Sequence, residues 1–118
     1  MGITYIEMKV KNPKNTRKEK KIKFLVDSGA IYSCISKDIL KNLGIKAHSK
    51  REFTLANGKK IEREIGDAIF EYNGRKASSP VIFGEKGDMN LLGIVTLEAL
   101  GFIINPLNRR LEPLPLTL

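Results

Sequence analysis

Asp27, Ser28 and Gly29 stand between two apolar runs, Ile22 to Val26 and Ile31 to Ile35. All three are turn formers, and a bare Asp-Ser-Gly triplet usually marks nothing more than a loop. The flanks set this one apart. A carboxylate held between apolar strands is at least partly desolvated, which is costly unless the charge is paired or used. The use open to such a group is acid–base chemistry, in which it takes a proton from water or gives one to a carbonyl oxygen.

Other chemistries find less material. His48 with Ser28 and an aspartate would supply the parts of a serine hydrolase, but Val26 to Ala30 lacks the Gly-x-Ser-x-Gly elbow and His48 lies in the polar stretch Lys46 to Arg51. One His and one Cys without a clustered carboxylate set do not make a coordination shell, so neither a metal nor another cofactor is expected. Cys34 reads as a small core residue on its strand. As the single cysteine it forms no intrachain disulfide, and nothing calls for an oxidising compartment.

The elements that must position Asp27 follow from two-residue alternation. Ile6, Met8 and Val10 alternate with Glu7, Lys9 and Lys11; after a turn at Asn12-Pro13-Lys14-Asn15, Ile22, Phe24 and Val26 alternate with Lys21, Lys23 and Leu25. This predicts a hairpin whose second strand runs into the Asp27 loop, followed by a strand over Ile31 to Ile35. Ser36 is placed to cap a helix over Lys37 to Leu43 ended by Gly44, and residues 51 to 83 return to strands. Asn57-Gly58 and Asn73-Gly74 are strong hairpin signals, with a bulge expected at Gly66. Leu91-Leu92-Gly93 precedes a short helix over Ile94 to Leu100 ended by Gly101. Phe102 to Ile104 and Leu111 to Leu114, bent at Asn105-Pro106, close a mainly β domain with two short helices.

At 118 residues, 42% hydrophobic and 29% charged, the chain fits one globular domain over residues 1–118. The formal charge of +8 is densest between Lys11 and Lys23, but that run has no aromatic residue to stack on bases. It reads as a solvated hairpin face, and a nucleic-acid-binding domain would rest on charge alone. Met1 to Ile6 shows neither a secretory pattern nor an acylation signal, and no stretch is long enough to span a bilayer, so a cytoplasmic protein is expected.

The order of two blocks carries a more specific message. Leu25-Val26-Asp27-Ser28-Gly29-Ala30 is followed by Leu91-Leu92-Gly93 and then Thr96-Leu97-Glu98-Ala99-Leu100-Gly101. This pattern resembles the retropepsins, single-domain aspartic proteases in which two apolar residues precede Asp, Thr or Ser, Gly and Ala. In that family two apolar residues, a Gly and a short helix come later. The resemblance covers most of the chain and implies a closed acid-protease β-barrel with a flap hairpin, active as a homodimer. It makes Asp27 the catalytic aspartate, Ser28 the hydroxyl that interlocks the two loops, and Gly29 the position where a side chain would block the substrate backbone. Phe53 to Glu64 becomes the flap and Asn57-Gly58 its tip. Ala30, Asn57, Gly58, Met89, Leu91 and Leu92 become substrate contacts, with apolar side chains preferred at the cut.

Two departures stand out. The flap tips of retroviral enzymes are richer in glycine than Asn57-Gly58-Lys59-Lys60. Those enzymes also follow the Ala with an Asp and the later Gly with an Arg, which pair near the dimer interface; here Ile31 and Ile94 take both places, leaving no orphan charge.

Peptide hydrolysis without metal or covalent intermediate needs one group to accept a proton and another to donate one. A single Asp-Ser-Gly loop supplies half of that, and the chain is too short for a second lobe, so the matching carboxyl is expected from a second copy. The substrate implied is a peptide or an unfolded protein. The competing class is a catalytically silent dimerisation or peptide-binding module, for which loss of Asp27 or Gly29 would be expected; both are present.

Overall fold

The computed structural model describes residues 4–115 and 117–118, so the N-terminal reading at Met1 to Ile3 lies outside the described residues. The hairpin of β1 (Tyr5–Asn12) and β2 (Asn15–Val26) forms where the alternation places it. Met8, Val10, Ile22 and Phe24 point inward and are at most 3% exposed. Phe24 meets Phe70 from across the sheet with ring centroids 5.9 Å apart.

The next strand, β3 (Ser33–Ser36), starts two residues later than the apolar run suggests. Ala30 and Ile31 are instead loop residues whose carbonyls accept the N–H groups of Ile94 and Val95. Ser36 does stand at the N-cap of α1 (Lys37–Asn42), but its side chain makes no capping bond; its own N–H donates to Asn90 Oδ1 at 2.9 Å. Gly44 takes the left-handed conformation expected of it, and Asn12 Nδ2 donates to Leu43 O at 2.8 Å, tying hairpin to helix.

β4 (Ser49–Thr54), β5 (Lys60–Tyr72) and β6 (Arg75–Gly84) are antiparallel neighbours. Asn73-Gly74 joins β5 to β6 with both residues at positive φ, as a two-residue turn demands. At the other tip only Gly58 is left-handed, and Gly58 N donates to Leu55 O, which makes a three-residue loop over Ala56, Asn57 and Gly58. Gly66 forms no bulge: its register with β6 is unbroken. Its small size serves a close approach, since a Cβ there would stand 2.9 Å from both Lys46 O and Phe83 Cε1.

β7 (Leu91–Leu92), α2 (Ile94–Leu100), β8 (Phe102–Ile104) and β9 (Leu111–Pro113) complete the chain. The main sheet runs β1-β2-β7-β3-β6-β5-β4, and β1 pairs with β5 as well. A separate two-stranded sheet joins β8 to β9. Arg75 caps α2 by donating from Nη1 to Leu100 O at 3.2 Å and Gly101 O at 3.0 Å. The core lies inside the wrapped sheet, around Phe24, Phe70, Ile35, Val81 and Leu92, and α2 seals one end with Leu97 and Leu100. No helix of the described residues is long and apolar enough to cross a membrane.

Candidate active site

The Asp27 loop is held from both sides. Leu25 and Val26 pair in parallel with Leu91 and Leu92. Leu25 N donates to Asn90 O at 3.0 Å, Val26 N to Thr4 O at 2.9 Å and Asp27 N to Leu92 O at 3.1 Å. Past the strand end the chain turns at once, with Ala30 N donating to Asp27 O at 3.0 Å. Gly29 N donates to Asp27 Oδ1 at 2.9 Å and fixes the carboxylate against its own turn. Asp27 is half-buried, while Ser28 and Gly29 are exposed. A Cβ on Gly29 would stand 3.2 Å from Asp27 Oδ1, so glycine keeps the approach to the carboxylate open.

A buried hydroxyl chain backs this loop. Gly93 N donates to Ser33 Oγ at 2.9 Å; Ser33 Oγ lies 2.6 Å from Thr96 Oγ1, and Thr96 Oγ1 lies 2.8 Å from Ser79 Oγ. None of the three hydroxyl residues is more than 2% exposed. Gly93 crosses the loop so closely that a Cβ would come within 2.5 Å of Tyr32 C and 2.7 Å of Ile31 O. Two chain segments far apart in sequence are thus locked together behind Asp27.

Beside the loop opens a cleft of about 570 Å³ lined by Gly29 and Ala30, by the inner face of the β4–β5 hairpin and by the 87–91 turn. Its walls are mainly apolar, with Ile31, Phe53, Leu55, Ile61, Ile82 and Leu91 among them. One ion pair crosses it: Arg63 Nε to Asp88 Oδ2 at 2.8 Å, with Nη2 to Oδ1 at 3.4 Å. The Arg63 guanidinium, helped by the Glu85 N–H, holds the Asp88 carboxyl below the ordinary carboxylate range against a smaller opposing effect of burial.

Of the substrate contacts expected from sequence, Ala30, Met89 and Leu91 line the cleft. Leu92 does not: successive strand residues face opposite ways, and Leu92 is fully buried in the core. It serves the site through its carbonyl, which takes the Asp27 N–H. Asn57 and Gly58 sit on the exposed hairpin tip and are not among the lining residues. Arg51, Arg63, Tyr32 and Asp88 escaped the sequence reading. A two-residue turn at Asn57-Gly58 would set Arg51 opposite Glu64; the three-residue loop over Ala56, Asn57 and Gly58 shifts the register by one and sets Arg51 opposite Arg63, on the face of Phe53 and Ile61.

His48 stands away from Ser28. Its Nε2 lies 3.2 Å from Asp67 Oδ2 and its Nδ1 3.0 Å from Ser49 Oγ, all on the exposed surface. Among the described residues no group of three or more His, Cys, Asp or Glu side chains is arranged to hold a metal. Cys34 is buried beside the cleft floor, and burial pushes its thiol up to about 11.

Comparison with known proteins agrees with this fold. A family model described as "gag-polyprotein putative aspartyl protease" matches residues 16–99. Among solved structures, a retropepsin-like aspartic protease from Rickettsia conorii is 27% identical with a TM-score of 0.64, the match covering 93% of this chain and 80% of that one. The simian foamy virus (mac) protease, at 22% identity and a TM-score of 0.52, shares the fold over 76% of this chain and 87% of its own. No curated protein sequence matches the chain.

Proposed function

Because the chain belongs to the family of gag-polyprotein aspartyl proteases, we propose that it is an aspartic endopeptidase whose active unit is a homodimer. The observation that carries this reading is the placement of Asp27. It is a half-buried carboxylate at a strand end, oriented by the Gly29 N–H, beside an apolar cleft of about 570 Å³. One loop offers one carboxyl, and the second comes from a second copy across a twofold axis.

In such a pair the carboxyls stand at roughly the 3 Å spacing known for aspartic-protease dyads in general. At that distance two negative charges repel by roughly 5 kcal/mol at an effective dielectric near 20, so the pair keeps one proton between them. The ionised member draws a proton from a bridging water, and the protonated member donates to the scissile carbonyl oxygen. The water oxygen bonds to the carbonyl carbon, and the amine then leaves with a proton returned from the dyad.

The β4–β5 hairpin is the flap in this reading, with its tip at Asn57-Gly58 as a substrate contact. The β1–β5 pairing supports a closed barrel behind it. Ser28 lies next to the proposed axis, where its hydroxyl would bond the partner loop. The apolar cleft walls favour hydrophobic side chains at the cut. The unpaired Cys34 suits a reducing compartment such as the cytoplasm.

Incubating wild type and Asp27→Asn with an unstructured peptide library at mildly acidic pH tests the reading. Cleavage by wild type alone is expected, in a species that sediments as a dimer. Equal cleavage by both would remove Asp27 from the chemistry, and tight peptide binding with no cleavage would leave a binding module.

A further inference from the structure

The β4–β5 hairpin carries a pair of arginines on its cleft-side face, Arg63 among the cleft-lining residues and Arg51 exposed beyond them, against Tyr32. Arg51 and Arg63 are direct cross-strand partners, on the same face as Phe53 and Ile61. Like charges placed opposite one another on one face are unfavourable unless each has a counter-charge. Arg63 has Asp88 at 2.8 Å. Among the described residues no carboxylate lies within ion-pair distance of Arg51, which rests its guanidinium carbon 5.4 Å from the centre of the Tyr32 ring and donates from Nη1 to the Tyr32 hydroxyl.

Tyr32 lines the cleft, so this contact keeps the Arg51 guanidinium at the cleft rim. A guanidinium has five N–H donors, and one is engaged here. The free donors and the uncompensated charge match a carboxylate, which such a fork takes in a two-pronged bond. The carboxylates of the same hairpin, Glu52, Glu62 and Glu64, belong to the alternate, outward face and do not compete for it.

We propose that Arg51 makes the cleft selective for peptides that carry an acidic side chain flanking an apolar cut, a substrate class that rests on the endopeptidase reading above. In the homodimer one Arg51 stands at each end of the cleft, so the preference applies on both sides of the scissile bond. Arg63 does not share in it, because its charge is neutralised by Asp88.

The test uses peptide pairs identical but for Glu or Gln, placed in turn at each position flanking the cut, and reads the ratio of their kcat/KM values. At the best position Glu is expected to exceed Gln by about threefold to tenfold at low salt, and the ratio to shrink as salt screens the contact. Arg51→Gln should bring the ratio to about one and Arg51→Glu below one, whereas Lys50→Gln, on the outward face, should leave the ratio as in wild type. A ratio, unlike a rate, is insensitive to partial misfolding. Measuring Kd for the same pairs on Asp27→Asn gives the same comparison without turnover, so a protein that cleaves nothing still reports on Arg51 while the endopeptidase reading alone fails. A wild-type ratio of one at every position, or a preference that survives Arg51→Gln, overturns the proposal.

Discussion

Thr96 on α2 and Ser33 on β3 share a hydroxyl hydrogen bond of 2.6 Å at a point where neither side chain is exposed. Ser33 also takes the Gly93 N–H and Thr96 also reaches Ser79, so one threonine joins the helix, β3 and β6 behind the Asp27 loop. Thr96→Val keeps the shape and deletes the shared group, leaving Ser33 and Ser79 short of a buried partner. The expected cost is about 1–3 kcal/mol of unfolding free energy, with Thr96→Ser costing less because the hydroxyl stays. Denaturant titration of the three proteins checks this, and equal stability of the valine and serine variants would remove the network from the account.

Gly93 is expected to tolerate no side chain. A Cβ there meets Tyr32 C at 2.5 Å and Tyr32 O at 2.6 Å, and these are backbone atoms of a loop pinned by the Ile94 and Val95 N–H groups. Gly93→Ala should therefore destabilise by at least about 2 kcal/mol. It should also cost activity, because the segment that must move is the one that leads from Asp27 to Ser33. A shift in denaturation midpoint below that of Gly58→Ala, where a Cβ meets nothing within 4 Å, measures the steric part. Both sites change a glycine to alanine. Gly58 adds a positive-φ penalty that Gly93 does not carry, so the comparison understates the clash.

Local chemistry was legible in the sequence wherever the cause was local. Asn73-Gly74 takes positive φ at both residues, and Gly44 and Gly101 end their helices in the left-handed region, as their side chains or lack of them require. The half-buried position of Asp27 at the end of a strand is legible because its apolar flanks are contiguous with it. What failed had long-range causes. The apolar character of Ile31 predicts a strand, yet the residue is 62% exposed, and residue type alone does not separate a core position from an exposed one. Gly66 suggests a bulge by its type, whereas its smallness answers to Lys46 and Phe83. Ser33, Ser79 and Thr96 look like surface hydroxyls until the fold buries them together. Leu91 and Leu92 are alike as residues, but the pleat allows only Leu91 to face the cleft.

The Arg63–Asp88 pair gives stability a defined acid limb. Arg63 holds the Asp88 carboxyl below its ordinary value of 3.8, so the folded state binds that proton more weakly than the unfolded chain does. The contribution is fully present above pH 3.8 and is lost as pH falls through the lower folded value. At the mildly acidic pH suited to an aspartic dyad Asp88 therefore stays ionised and the bridge across the cleft holds. Asp88→Asn should lower stability at neutral pH by a modest amount, since the pair is partly open to solvent. The gap between the two proteins should close on acidification below pH 3.8. Unfolding curves across that range provide the measurement, and a gap that widens instead would contradict the sign.

Cys34 should be inert until the chain opens. The residue is 7% exposed and burial raises the thiol pKa from 9.0 to about 11, so near neutral pH the thiolate is about a hundredfold scarcer than in an unfolded chain. Iodoacetamide labelling followed by mass spectrometry is expected to find Cys34 unmodified in the native protein and fully modified in denaturant. Rapid labelling of the native protein would show that the cleft floor opens to solvent far more than its packing implies.

Ile31 and Ile94 bear on the proposed dimer. Backbone bonds from Ile94 N to Ala30 O and from Val95 N to Ile31 O lay their segments side by side next to Asp27, and both side chains are substantially exposed, at 62% and 39%. Two exposed isoleucines beside the Asp27 loop gain most by being covered, and in the proposed dimer the same surface on a second copy covers them. Ile31→Asp places a charge in that contact with no partner and should weaken the dimer by at least tenfold, with activity lost in proportion at low protein concentration. Adding Ile94→Arg supplies the partner from the adjoining segment, and the double variant should recover dimerisation by more than the sum of the single effects allows. Sedimentation across a dilution series reads all four proteins. Strict additivity would mean that the two positions do not meet in the dimer, and dimerisation untouched by Ile31→Asp would place the interface elsewhere on the molecule.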